Sequence, residues 1–180
     1  METILQRIRE HFDLLSNRFD IFHTLAFQCE GWFKGELLTL MSELRNRHQI
    51  QDFAREVHHN NMRIDLEIVI ADTIQHIELK HWHIGRQGLN TWNAAGYFGD
   101  AENGIRHDVQ KLTDIVSSGN RWVIVFATVA PDADDWNRGV SMFNRNFAPL
   151  KVTSITQPTE IQRNYFCGLL KVEVNRELAL

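Results

Sequence analysis

The segment Arg121-Trp122-Val123-Ile124-Val125-Phe126-Ala127-Thr128 is apolar at nearly every position. A strand with one wet face alternates; a run like this one marks a strand buried on both faces, with helices covering the sheet. Ahead of it, Ile105, Val109, Leu112, Ile115 and Val116 recur at helical spacing and stop at Ser117-Ser118-Gly119. Ahead of that helix, Ile74 to Lys80 alternates as a strand. A strand, a helix and a buried strand in this order imply a right-handed crossover and a parallel pair.

The preceding segment supplies the rest of the sheet. In Arg63-Ile64-Asp65-Leu66-Glu67-Ile68-Val69-Ile70 the even positions are aliphatic, while Asp65 and Glu67 point the other way. Ala71-Asp72-Thr73 turns the chain, and Ile77 and Leu79 then alternate with His76, Glu78 and Lys80, so the two strands form a hairpin. Phe53 to His59 reads as a shorter strand ending at the turn signal His58-His59-Asn60-Asn61. Ile4, Leu5, Ile8, Phe12 and Leu15 predict an amphipathic first helix. A second helix is predicted from about Ile21 to Arg47, with Phe33, Leu37, Leu40, Met41 and Leu44 as its core stripe. Gly85 to Gly104 is a long stretch rich in Gly, Asn and aromatics, of the kind that is functional or partly helical. Asp134 or Asp135 is placed to cap a helix through Phe147, and Tyr165 to Val174 reads as a last strand. The order is helix, three strands, helix, strand, helix and strand.

At 180 residues the chain has the size of one domain, divided by these patterns into a helical extension over 1–20 and a main domain over 21–180. No apolar run is long enough to span a bilayer, and METILQRIREHF lacks the apolar stretch of a secretory signal. Cys29 and Cys167 sit in apolar surroundings without metal-ligand spacing, as free buried thiols of a cytoplasmic protein do. The net charge of −4 excludes an overall attraction to polyanions and leaves only a local basic surface. Arg45, Arg47, Arg86, Arg106, Arg138 and Arg145 are candidates for it.

The chemistry concentrates on the hairpin. Strand alternation puts Glu78 and Lys80 on one face with Leu79 opposite, and the hairpin brings Asp65 alongside. Two carboxylates hold Mg²⁺, a hard ion that takes oxygen ligands and keeps several waters, with Mn²⁺ as a substitute. The backbone carbonyl of Leu79 offers one more oxygen. A bound divalent ion lowers the pKa of a water and polarises a phosphoryl oxygen. Lys80 then positions or deprotonates the attacking water, or stands as a fixed cation against the charge of the transition state. Charged residues on the exposed face of a hairpin also form ordinary cross-strand ion pairs, which is the plain alternative.

Asp65 with Glu78-Leu79-Lys80 resembles the D…(D/E)-x-K signature of the PD-(D/E)XK nuclease superfamily, over about Gly31 to Thr128. Ile64 stands where the superfamily's name carries proline. The resemblance implies an α/β fold with a restriction-endonuclease-like core, αβββαβ, whose mixed central sheet is flanked by helices. It also implies a Mg²⁺-dependent nuclease hydrolysing phosphodiester bonds, most simply a DNA endonuclease of restriction, phage defence or repair. Many members add a metal-binding glutamate from the first core helix, and Glu36 resembles it, with Glu43 as rival on nearly the same helical face. Asp108-Val109-Gln110-Lys111-Leu112 resembles the second core helix, which would bring Lys111 to the DNA backbone.

Other residues bear on the substrate. Arg86, His81 and His83 are candidates for nucleic-acid contact, the histidines because His81-Trp82-His83 directly follows the Glu78 strand. H-x-H on a strand binds zinc where a third ligand exists, but the sequence offers no cysteine pair or H-E-x-x-H helix to complete a site here or at His58-His59. Trp82, Trp92, Tyr97 and Phe98 are aromatics of the kind that stack on unpaired bases, or that simply pack. Three functional readings stay open: a DNA endonuclease, an RNA or single-strand nuclease of the same fold, and a catalytically silent nucleic-acid-binding or assembly module. A double-strand cut needs two sites related by a dyad, so a homodimer is compatible with the first.

Overall fold

The computed structural model describes residues 1–25, 29–60, 62–82, 84, 93–99, 104–115, 118–158 and 165–174. Its elements are α1 (Glu2–Asp13), α2 (Ser16–Thr24), α3 (Glu30–Asn46), β1 (Asp52–His59), β2 (Met62–Ile70), β3 (Thr73–His81), α4 (Ala94–Gly99), α5 (Arg106–Ile115), β4 (Asn120–Ala127), α6 (Ala133–Asn146), β5 (Leu150–Ser154) and β6 (Phe166–Val174). The six strands form one mixed sheet in the order β1-β2-β3-β4-β6-β5. Only β3 and β4 run parallel, joined through α5 as the apolar run at 121–128 requires; the other neighbours are antiparallel. The fold is α/β, with helices on both faces of an open sheet. No helix among the described residues is long and apolar enough to cross a membrane.

Strand β4 shows why both faces are covered. Trp122, Ile124 and Phe126 join a core with α1, α2 and α3, while Val123, Val125 and Ala127 join a second core with α4, α5 and α6. Ile4, Leu5, Ile8 and Phe12 of α1 are buried in the first core, so the helix read as an extension packs directly on the main domain. The helix predicted over 21–47 is interrupted: α2 ends at Thr24, and α3 begins at Glu30. Asp132, ahead of the two predicted caps, caps α6 by accepting a hydrogen bond from the Asp135 N–H. Strand β5 was not apparent in the sequence, being short and lying at the edge of the sheet. Both cysteines are buried free thiols.

The hairpin of β2 and β3 positions the candidate site. Ala71 and Asp72 both have positive φ, the geometry of the two-residue turn whose twist matches antiparallel strands. Pairing runs from Ile70–Thr73 to Leu66–Ile77 and then ends. Beyond that point β3 continues beside β4, while β2 bends away. The ladder with β1 also skips the position where Glu56, at φ 52°, faces Asp65. The bend carries Ile64 into the second core although Leu66 and Ile68 lie in the first. Regular alternation would keep all three on one face.

Candidate functional site

The opening between β2 and β3 is filled by two carboxylates. Where the next ladder bonds would fall, the Leu79 N–H donates to Asp65 Oδ2 at 3.0 Å, and the Asp65 N–H donates weakly to Glu78 Oε1 at 3.4 Å. Each acid therefore takes a hydrogen bond from the backbone of the opposite strand, which holds the fork at a fixed width. The N–H and C=O of one strand residue point to the same side, so the Leu79 carbonyl also faces the opening. Asp65 stands in the plane of the fork, whereas Glu78 and Lys80 project together towards α5.

Three lysines from three elements meet these acids. Lys34 of α3 is 3.1 Å from Asp65 Oδ1 and 3.0 Å from Glu30. Lys111 of α5 is 2.6 Å from Glu78 Oε2 and also donates to the Arg63 carbonyl at 2.9 Å, pinning the bent part of β2. Lys80 lies 3.2 Å from Asp108 Oδ2, an ion pair out of line for a hydrogen bond, and that buried oxygen has no hydrogen-bond partner among the described residues. The centre thus holds Glu30, Asp65, Glu78 and Asp108 against Lys34, Lys80 and Lys111.

Burial dominates the electrostatics. Glu78 is 2% exposed. Burial first, and the charge of Asp65 second, push its carboxyl up to about 8, against the opposing pull of Lys111. Burial likewise raises Asp108, with Lys80 opposing. Tyr97 is pushed well above its ordinary value by burial, then by the charges of Asp108 and Glu30. Its Oη is buried with no hydrogen-bond partner among the described residues. Asp65 is reached from a small cleft on the α3 side, lined by Lys34, Arg55, Glu56 and Leu79.

The predicted residues divide as follows. Asp65, Glu78 and Leu79 meet at the fork, and Lys80 shares a face with Glu78 but has Asp108 as its partner. Lys111, which the resemblance brings to the DNA backbone, contacts Glu78 directly. Glu36 is not brought to the centre. It faces α1 and α2, 3.2 Å from His11 Nε2 and 3.4 Å from Arg18. Glu43 pairs with Arg47 on the surface. The acid that α3 contributes is Glu30, acting through Lys34. At about 100° per residue, Lys34 shares its face with buried Leu37 and Met41, while Glu36 projects about 200° away. The signal for this pair was the Glu30-to-Lys34 spacing of one helical turn at the start of a helix.

His81 lies near Cys29 Sγ, at 3.7 Å, and beside Phe126 in the first core, on the face opposite Glu78. Trp82 is buried and stacked on Tyr97 at 4.8 Å, and Phe98 packs edge-on against Trp136, so all three belong to the second core and offer no open surface for bases. Arg45 and Arg106 lie over Phe53 and Phe147, and Arg138 pairs with Asp135. Arg86, His83 and Trp92 lie outside the described residues. Comparisons with protein-family models, curated proteins and solved structures gave no match to this chain.

Proposed function

We propose that this chain is a metal-dependent nuclease of the PD-(D/E)XK type, with a restriction-endonuclease-like core and DNA as its substrate class. The observation that carries the reading is the fork itself. Asp65 and Glu78 interlock across diverging strands, with the Leu79 carbonyl directed between them and Lys80 one pleat further along. The donor set suits a hard divalent cation: it is oxygen throughout, and Glu78 is a buried acid that lacks enough positive charge to ionise readily. Asp65, Glu78 and the Leu79 carbonyl would hold Mg²⁺, with Lys111 yielding its contact to Glu78 and Lys34 keeping its contact to Asp65 Oδ1. When bound, the ion activates water and polarises a phosphoryl oxygen. Glu30 and Lys34 orient Asp65, Asp108 orients the Lys80 ammonium, and Lys80 supplies a fixed cation to the phosphate under attack.

A second reading has its own support. Asp65, Glu78 and Asp108 each already have an ammonium partner, so the network holds together without an ion, as a structural ion cluster in a silent binding or assembly module would. Incubation with plasmid, linear duplex, single-stranded DNA and RNA, in Mg²⁺, Mn²⁺ or EDTA, separates the two. Metal-dependent cleavage lost in Asp65→Ala and Lys80→Ala supports the nuclease, and the substrate cut assigns DNA or RNA. Nucleic-acid binding without cleavage, unchanged by those substitutions, supports the module. A nuclease that cuts both strands of a duplex is expected to act as a homodimer.

A further inference from the structure

A second polar cluster lies on the same sheet face, outside the acidic centre. His59 of β1, Glu67 of β2 and His76 of β3 bring their ligand-type atoms within 4.8 Å of one another. His59 Nε2 is 2.6 Å and His76 Nδ1 2.7 Å from the same oxygen, Glu67 Oε1. The bend at Glu56 and Asp65 creates this convergence. His59 pairs with Met62 in the ladder, yet its ring reaches Glu67 well along β2, because the outer part of the hairpin folds back over the face.

We infer that His59, Glu67 and His76 form a binding site for a borderline transition-metal ion, best Zn²⁺, which clasps the folded-back hairpin to β3. Two imidazole nitrogens and one carboxylate oxygen are a zinc-type set; Mg²⁺ and Ca²⁺ prefer oxygen alone, and no thiolate is present to favour softer ions. His76 carries the decisive detail. Its Nε2 lies 3.0 Å from the Ser118 carbonyl, while its Nδ1 faces the Glu67 carboxylate, so both ring nitrogens address acceptors. A neutral imidazole has one N–H. Donated to Ser118, it leaves the Nδ1 lone pair directed at Glu67 and His59, the arrangement in which a backbone carbonyl fixes a metal-binding histidine. Gly119, at φ 84°, lets the chain press close here, since a Cβ would lie 2.9 Å from His76 Nε2.

The geometry needs little change to admit the ion. Tetrahedral zinc keeps nitrogen and oxygen ligands about 3.4 Å apart, so the two histidine contacts to Glu67 Oε1 open by less than about 1 Å while the ligand atoms, all within 4.8 Å of one another, settle around the ion. The His59 side chain is 33% exposed and free to make that adjustment, and the fourth position is left to water. Glu67 lies two positions from Asp65 in β2, and His76 two positions from Glu78 in β3. The clasp therefore sits beside the acidic centre without sharing its ligands, and it stands whether or not that centre cleaves nucleic acid.

The test uses the full chain stripped of metal and titrated with Co²⁺ alone, followed by Zn²⁺ in competition. One equivalent of Co²⁺ is expected to give the visible absorption of a four-coordinate site, displaced by Zn²⁺. His59→Asn and Glu67→Gln are each expected to weaken binding at least tenfold. The Asp65→Asn/Glu78→Gln double variant is expected to keep the spectrum. Circular dichroism confirms that the variants are folded. No spectrum in the unmodified chain overturns the inference. So does a spectrum unaffected by His59→Asn and Glu67→Gln, or one lost only in the double variant.

Discussion

Glu78→Gln is the perturbation whose consequence follows most directly from the geometry. Glu78 is 2% exposed, and burial pushes its carboxyl up to about 8 in the folded chain against an ordinary value of 4.5. Between those two values the folded state holds a proton that the unfolded state has released, so stability falls as pH rises through the window. At about 1.4 kcal/mol per pH unit, the gap corresponds to about 5 kcal/mol, fully present as a loss above pH 8. A glutamine amide resembles the neutral carboxyl and has no charge to bury. It keeps an oxygen for Lys111, at the cost of the weak contact with the Asp65 N–H, about 1 kcal/mol. In EDTA, Glu78→Gln is therefore expected to match the unmodified chain within about 1 kcal/mol at pH 5 and to exceed it by several kcal/mol at pH 9. Urea denaturation across that range measures the difference. A stability gap that stays flat from pH 5 to 9, or grows in favour of glutamate, would refute the account of Glu78 as a buried acid short of positive charge. Adding Mg²⁺ extends the measurement: under the proposed function it stabilises the unmodified chain at pH 8 and leaves Glu78→Gln unmoved.

Other substitutions test other parts of the molecule. If the chain is a nuclease, Glu30→Ala is expected to lower cleavage at least tenfold through the loss of Lys34 and Asp65 alignment, whereas Glu36→Ala leaves the rate within about twofold; equal losses would deny the placement of Glu30. Lys80→Ala leaves Asp108 buried without its ion-pair partner and is expected to cost about 2 kcal/mol at pH 7, with Lys80→Ala/Asp108→Asn recovering most of it; failure of the second change to recover stability in thermal melts would deny the pairing. Gly139→Ala places a methyl 2.6 Å from Phe98 Cδ2 and 3.0 Å from Ala94 Cβ, and is expected to destabilise by about 1–3 kcal/mol in the same melts through crowding of α4 against α6.

Local periodicity carried much of the fold. The apolar run at 121–128 implied a strand covered on both sides, and β4 divides its side chains between two cores. Alternation along 63–80 implied the hairpin, with Asp65, Glu78 and the Leu79 backbone close together. Those features depend on side-chain period and turn length, which a short stretch of chain specifies for itself. The choice between Glu30 and Glu36 was not legible in the same way. Both are helical glutamates with similar neighbours, and only the docking of α3 against the sheet decides which turn of the helix faces the fork.

Local pattern was therefore enough for most of the elements, apart from β5 and the break between α2 and α3, and for the parallel step through α5 and the acid pair of the hairpin. The bend of β2 at Asp65, and everything it gathers, came from the packing of the whole chain. Ile64 crosses to the second core, Lys111 reaches both Glu78 and the Arg63 carbonyl, and His59, Glu67 and His76 from three strands share one oxygen. The bend arises where two strands lose their ladder and carboxylates replace it. That balance is struck between distant parts of the chain, so no single window of residues contains it.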